Sequence, residues 1–215
     1  MSGKSLLILG VLLLAASVMA QDLKTIPLPA PDTTGGKPLM QVLKMRQTSR
    51  EFSADSIPLP VLSNLLWAAC GVNRAESGKR TAPSAMNWQE IDVYVVTVQG
   101  TYRYDSKTHA LQQILTGDIR EKTGAQPFVK EVPVNLVYVA DYAKVTRGSD
   151  EDKTLYSAAD AGFISQNVYL FCASEGLATV VRGSVDKAEL AKAMSLRADQ
   201  KIILAQSVGY AKKIE

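Results

Sequence analysis

The residue types that could do chemistry fall in three separated polar stretches. The first, Arg46-Gln47-Thr48-Ser49-Arg50-Glu51-Phe52, spaces two arginines four apart with a hydroxyl between them. If the stretch is helical, both guanidinium groups share one face beside Thr48. A guanidinium fork matches two oxygens of a phosphate, so this is a candidate anion grip. Alone, such a string more often marks a solvated helix face. Its weight comes from two companions in order along the chain: Ala82-Pro83-Ser84-Ala85-Met86-Asn87-Trp88-Gln89 and Val208-Gly209-Tyr210-Ala211-Lys212-Lys213. Ser84 and Asn87 read equally well as turn residues after Pro83, and Lys212 and Lys213 as solvated charges near a terminus.

Other chemistries are poorly served. His109 is the single histidine and stands in a polar, turn-like stretch, which leaves neither a zinc site nor a Ser-His-Asp triad. Cys70 and Cys172 are the two cysteines, each inside an apolar helical pattern with no C-x-x-C spacing. An oxidising compartment would permit a disulfide between them, but buried free thiols are the simpler state. The net charge of +3, from 24 basic and 21 acidic residues scattered along the chain, does not indicate nucleic-acid binding. Ser149-Asp150-Glu151-Asp152 could suggest a cation site, yet acidic residues at a helix start are explained by capping and the helix dipole.

Something must position these stretches. Residues 1–20 read as a secretory signal, with Lys4, an apolar run from Leu6 to Ala16, and Val18-Met19-Ala20 as a cleavage site. That run is too short to span a bilayer comfortably, so the expectation is an exported chain, periplasmic or secreted, without a stable membrane anchor. Residues 21–38, with Pro27, Pro29, Pro31, Pro38, Gly35 and Gly36, read as an extended leader without helical or strand period. Residues 39–215 then form one domain. Its expected elements are a helix from Leu39 into the Arg46 stretch, a helix from Pro60 closed by Gly71, and a polar loop to Asn87. A strand over Ile91–Val98 with a hairpin partner follows, then one or two short helices between Leu111 and Glu131, and a buried strand over Val134–Ala140. A long helix over Lys153–Glu175, a short extended piece at Val180-Val181, a helix capped by Asp186 and a strand over Lys201–Val208 complete it. This order gives an α+β fold with a mixed central sheet flanked by helices.

From about Leu39 to Lys213 the chain resembles the nitroreductase family of FMN-dependent oxidoreductases. The likeness extends to the branch that includes the dehydrogenases of thiazole and oxazole peptide maturation. It is carried by the Arg46–Phe52 stretch, Leu65-Leu66-Trp67-Ala68-Ala69-Cys70-Gly71-Val72-Asn73-Arg74, Arg80-Thr81-Ala82-Pro83-Ser84-Ala85, Asp160-Ala161-Gly162 with Gln166-Asn167, Glu175-Gly176-Leu177-Ala178-Thr179 and Val208-Gly209-Tyr210.

The resemblance implies that Arg46 and Thr48 hold the FMN phosphate and that Arg50 reaches the ribityl chain and the N1/O2 edge of the ring. Ser84 and Asn87 would bond the pyrimidine side. A backbone N–H of the Val181-Arg182-Gly183 turn, that of Gly183, would face N5, and Lys212 or Lys213 would close over the phosphate. It also implies an intertwined homodimer with the flavin between subunits, which the small residues around Gly162 suit. The chain departs from the family pattern in Thr48 for serine, in Arg182 where some relatives are acidic, and in ending at Glu215 without a longer tail. No general base is needed, because the flavin does the hard step. The implied activity passes electrons from NAD(P)H or another donor to an electron-poor small molecule such as a nitroaromatic or quinone. The alternative is a non-catalytic flavin- or ligand-binding scaffold of the same fold.

Overall fold

The computed structural model describes residues 23–212, so the expected signal segment and Lys213 lie outside the described residues. Among the described residues nine strands are formed: β1 (Thr25–Pro27), β2 (Val72–Arg74), β3 (Lys79–Arg80), β4 (Ile91–Thr97), β5 (Gly100–Asp105), β6 (Ala110–Thr116), β7 (Val134–Asp141), β8 (Leu177–Arg182) and β9 (Gln200–Tyr210). The α-helices are α1 (Leu39–Met45), α2 (Leu59–Cys70), α3 (Asp150–Glu175) and α4 (Lys187–Ala193). Seven strands build one sheet in the order β1-β6-β5-β4-β7-β9-β8, and β2 and β3 form a separate small hairpin.

The fold is α+β, but the sheet is antiparallel at every pairing rather than mixed. The β7–α3–β8 connection does return the chain in the same direction, as a helical crossover should. Strand β9 then inserts between β7 and β8 and turns both contacts antiparallel. Helices α2 and α3 cover one face, packing on Val93, Val95, Leu136 and Tyr138. Helix α4 covers the other, with Leu190 and Met194 against Tyr94, Val96, Val137 and Val139. Strand β7, between two neighbours and two covered faces, is buried at all eight positions, which is why it reads as a continuous apolar run.

Two expectations change. Residues 21–38 are not without strand structure: Thr25–Pro27 pair with Gln112, Leu111 and Ala110 of β6 and close the sheet edge. Pro27 suits that place, since an edge strand can spare one N–H. The leader continues as a strap, with the Leu28 N–H on His109 O at 3.0 Å and the Lys37 N–H on Ser174 Oγ at 3.0 Å. Strand β6 was not anticipated either. Its paired glutamines, Gln112 and Gln113, break the alternation, and its register on β5 shifts between Thr101 and Tyr102. Where one or two short helices were expected before Glu131, there are two 3₁₀ turns, Arg120–Thr123 and Pro127–Lys130. The loop before Asn87 contains the β2–β3 hairpin.

Helix ends follow their local chemistry. Ser149 Oγ accepts the Asp152 N–H and the Asp152 carboxylate accepts the Ser149 N–H, so the acidic start of α3 is a capping box. Gly176 ends that helix at φ 73°, a left-handed geometry that glycine adopts without strain.

Gly209 marks a close approach of three segments. A methyl group there would meet Pro133 Cδ at 3.0 Å and Phe52 Cδ1 at 3.2 Å. Gly209→Ala is therefore expected to lower stability by about 1 to 3 kcal/mol, the usual cost of overpacking. Denaturant unfolding checks this, and an unchanged midpoint would show that Phe52 is not clamped against β9.

Candidate functional site

The first polar stretch is not helical. Helix α1 ends at Met45, and Arg46 turns out of it at φ −56°, ψ 120°. The physical reason is that the sheet takes the backbone. The Ser49 N–H bonds Thr179 O at 3.0 Å, the Ser53 N–H bonds Tyr210 O at 2.9 Å, and the Lys212 N–H bonds Glu51 O at 3.2 Å. Phe52 and Ala211 form an isolated antiparallel bridge. The shared helical face expected for Arg46 and Arg50 therefore does not exist, but the first and third polar stretches are brought side by side.

Tyr169 of α3 organises this corner. The Arg46 guanidinium carbon lies 5.4 Å from the centroid of its ring, a cation–π contact. Thr48 Oγ1 lies 3.0 Å from its hydroxyl, which also accepts the Val181 N–H at 3.0 Å. The phenol proton can then go to Thr48, leaving the Thr48 hydroxyl free to donate outward. Arg50, on the same stretch, and Lys212, whose backbone pairs with Glu51, are exposed. The result is a corner lined by guanidinium and hydroxyl donors, suited to an anion. Sequence reasoning missed Tyr169, because it falls in register with the apolar face of α3.

The second stretch lies elsewhere. Ser84 leads a short 3₁₀ turn, Ala85–Asn87, whose Ala85 N–H bonds the Asp160 carboxylate at 2.9 and 3.2 Å. Ser84 Oγ accepts the Gln89 N–H at 2.8 Å and stands 3.4 Å from Glu90 Oε2. Asn87 is exposed, and its Oδ1 accepts from Gln89 Nε2 at 3.2 Å. Met86, Asn87 and Gln89 all have positive φ, at 50°, 54° and 52°. Side-chain-bearing residues seldom hold that conformation, and strain of this kind concentrates at functional turns. Asp160 and Tyr169 are nine residues apart on α3, so the two stretches meet the helix about 14 Å apart and about half a turn round. Within one copy of the chain they do not converge.

Arg182 corrects an expectation. It is 5% exposed, and its guanidinium donates to Thr123 O at 2.6 Å, Asn135 Oδ1 at 2.9 Å and Ser207 Oγ at 3.1 Å. Burial pulls its pKa down to about 10. The guanidinium is committed to stapling the 3₁₀ turns to β7 and β9, and Gly124 is required because a Cβ there would overlap it. Its side chain is not placed to touch a cofactor. The next residue, Gly183, is exposed and keeps its backbone at the surface.

The remaining reactive residues are occupied in the fold. His109 Nδ1 bonds the Tyr104 hydroxyl at 2.9 Å and Nε2 faces Ser63 Oγ at 2.7 Å. Cys70 and Cys172 are buried free thiols, and burial pushes the Cys70 pKa up to about 11. Among the described residues no cluster could hold a metal ion, and no helix is long and apolar enough to cross a membrane.

Beneath the Ser84 turn, Glu90 and Asp160 are 0% and 2% exposed. Burial raises both carboxyls above their usual values, with Asp160 adding to the rise at Glu90. Two carboxylates so placed do not both ionise readily. Raised folded values mean that this pair's stabilisation is complete below the ordinary carboxylate range and fades as pH climbs through the raised values. Wild-type stability should therefore fall as pH rises above about 4.5, and Glu90→Gln, which keeps the proton, should flatten that slope. Unfolding midpoints measured across pH decide it, an identical slope in the variant being the contrary result.

The profile of the nitroreductase family matches residues 43–210. A protein of Methanocaldococcus jannaschii assigned as a nitroreductase is 31% identical over 169 residues, covering 74% of this chain and 85% of its own. The crystal structure of a protein from Ralstonia eutropha, likewise assigned as a nitroreductase, is 45% identical with a TM-score of 0.85, over 88% of this chain and 90% of that one. A nitroreductase-type structure from Desulfovibrio desulfuricans, in complex with FMN, shares the fold at 18% identity and a TM-score of 0.60, over 83% of this chain and 89% of that one. The match of the family profile over most of the chain, with relatives at 31% and 45% identity, shows that the chain belongs to the nitroreductase family.

Proposed function

We propose that this protein is an exported FMN-dependent oxidoreductase acting on an electron-poor small molecule such as a nitroaromatic or quinone, with NAD(P)H or another donor. The observation that carries the reading is the union of the Arg46 stretch with the chain end at Lys212 around Tyr169, in a member of this family. The residues there fit a phosphate. Arg46 and Lys212 supply charge, Thr48 supplies a hydroxyl donor, and Lys213 follows directly in sequence. Arg50, four residues on in the same extended segment, would reach the N1/O2 edge of the ring, where a cation favours the negative charge of the reduced state. Ser84 and Asn87 would bond the pyrimidine side, and the Gly183 N–H would face N5. Bound FMN supplies the hydride chemistry; the chain binds it, orients it and sets its electrostatics.

The separation of the Ser84 turn from the Arg46 corner along α3 supports a site assembled from two copies. The outward face of α3 is suited to that contact. Leu155 and Phe163 are 63% and 48% exposed, and Ala159 and Gly162 lie between them on the same stripe. A methyl group at Gly162 would meet nothing within 4 Å in one copy, so close approach of a second helix is unobstructed. An apolar stripe of this kind marks an interface. Light scattering of the FMN-loaded protein should return twice the chain mass, and a monomer at micromolar concentration would refute the assembled site.

The cofactor reading is tested by titration. FMN should bind more tightly than FAD, because no G-x-G-x-x-G loop is present for a pyrophosphate. A colourless protein that takes up no flavin on reconstitution would favour the scaffold alternative. Arg46→Ala should weaken FMN binding by about 1.5 to 3 kcal/mol through loss of a charge-assisted bond, with little change in potential. Arg50→Ala should instead lower the flavin reduction potential and slow reduction. If both variants lose affinity equally and keep the wild-type potential, Arg50 does not reach the ring.

A further inference from the structure

Strand β8 pairs with β9 along one edge, and its other edge faces the Arg46 stretch. Backbone groups of a strand point alternately to its two sides, so every second residue shares an edge. On this outer edge the Thr179 O takes the Ser49 N–H at 3.0 Å, and the Val181 N–H goes to the Tyr169 hydroxyl at 3.0 Å. Gly183 is next in that alternation. It is exposed, and the rise of an extended chain puts it about 7 Å beyond Val181. The phosphate corner and the turn assigned to N5 are therefore consecutive stations on one edge of one copy.

Tyr169 joins the two stations. It is 7% exposed and held on helix α3, with Arg46 over its ring and Thr48 Oγ1 at 3.0 Å from its hydroxyl. A phenol has one proton to donate and lone pairs with which to accept. The Val181 N–H fills one lone pair, which leaves the Tyr169–Thr48 contact open in direction. An anion beside Thr48 settles it. The exposed Thr48 hydroxyl then donates outward to the anion, and its oxygen accepts the phenol proton. The Val181 N–H, the Tyr169 O–H and the Thr48 O–H now all point toward the anion. Hydrogen bonds aligned in this way polarise and strengthen one another. Without the anion Thr48 is free to donate to Tyr169 instead, and the chain loses its common direction.

We propose that Tyr169 is a positioning residue for the flavin, coupling the presence of a phosphate at Arg46 and Thr48 to the placement of the Gly183 N–H. This rests on the FMN reading above. A phosphate at Thr48 tightens the bond between Tyr169 and Val181, and that bond holds the exit of β8 two residues before Gly183. A flavin that lacks the phosphate leaves the exit less firmly held. The phosphate thus anchors the cofactor and also sets the hydrogen bond offered to N5.

Riboflavin, which has the same ring and no phosphate, separates the two ends of the cofactor. The test compares FMN and riboflavin on the whole protein and on Tyr169→Phe, by binding titration and by the NMR resonance of isotopically labelled N5, which reports hydrogen bonding to that atom. Tyr169→Phe should weaken FMN about tenfold and leave riboflavin within about twofold of the wild type. In the wild type the two bound flavins should differ in their N5 resonance, and in Tyr169→Phe they should coincide. Should Tyr169→Phe fail to fold because the Val181 N–H loses its acceptor, Thr48→Val cuts the same chain at its far end and keeps that bond, with the same pattern expected. Equal loss of both flavins means a merely structural tyrosine and overturns the proposal. N5 resonances that coincide in the wild type, or stay apart in the variants, overturn it too. A wild-type protein that takes up neither flavin overturns the FMN reading and the coupling together, whereas tight FMN binding that Tyr169→Phe leaves unchanged overturns the coupling alone.

Discussion

The rest of the structure depends on the insertion of β9 between β7 and β8. This one strand supplies two ladders of the sheet, and its pairing makes neighbours of segments far apart in sequence. Its exit carries Tyr210 and Lys212 onto Ser53 and Glu51, which pulls the Arg46 stretch out of helical geometry and lays it along the sheet. Its interior carries Gln206 and Ser207 into the buried network with Tyr138, Asn135, Thr179 and Arg182. The anion corner and the sheet centre are thus fixed by the same strand. A shift of one residue in its register would turn these side chains to the opposite face.

How much of this was legible in the sequence depends on whether the deciding forces were local. Helices α2, α3 and α4 announced themselves through Pro60, the acidic run before Lys153, Gly176 and Asp186, because signals at helix ends act within a few residues. Strand β7 was plain from its unbroken apolar run. Strands β1 and β6 were not, since each exists through a distant partner. The antiparallel sheet was hidden for the same reason, because the β7–α3–β8 connection alone argues for parallel neighbours.

The candidate site shows the same division. Arg46 and Thr48 were identified by type and spacing, and they stand together, though on an extended segment. Their organiser, Tyr169, was invisible because a tyrosine on the buried face of a helix looks like core. Arg182, expected only within the turn whose backbone faces N5, commits its side chain to the fold: a ring of acceptors, Thr123 O, Asn135 Oδ1 and Ser207 Oγ, makes its burial tolerable. Nothing in the local sequence announces that ring.

The strand at Thr25–Pro27 has a consequence for how the chain is made. Made before its partner, it docks only after Ala110–Thr116 has been produced and folded onto its hairpin, some eighty residues later. Until then the outer rim of that hairpin is a bare row of backbone donors and acceptors, open to pairing with any other extended chain. The proline-rich segment resists forming structure of its own in the interval, which keeps it available to close the rim. Sealing the sheet is therefore a late event that waits on a segment made well before its partner, and the stiffness of that segment keeps it free to close the rim.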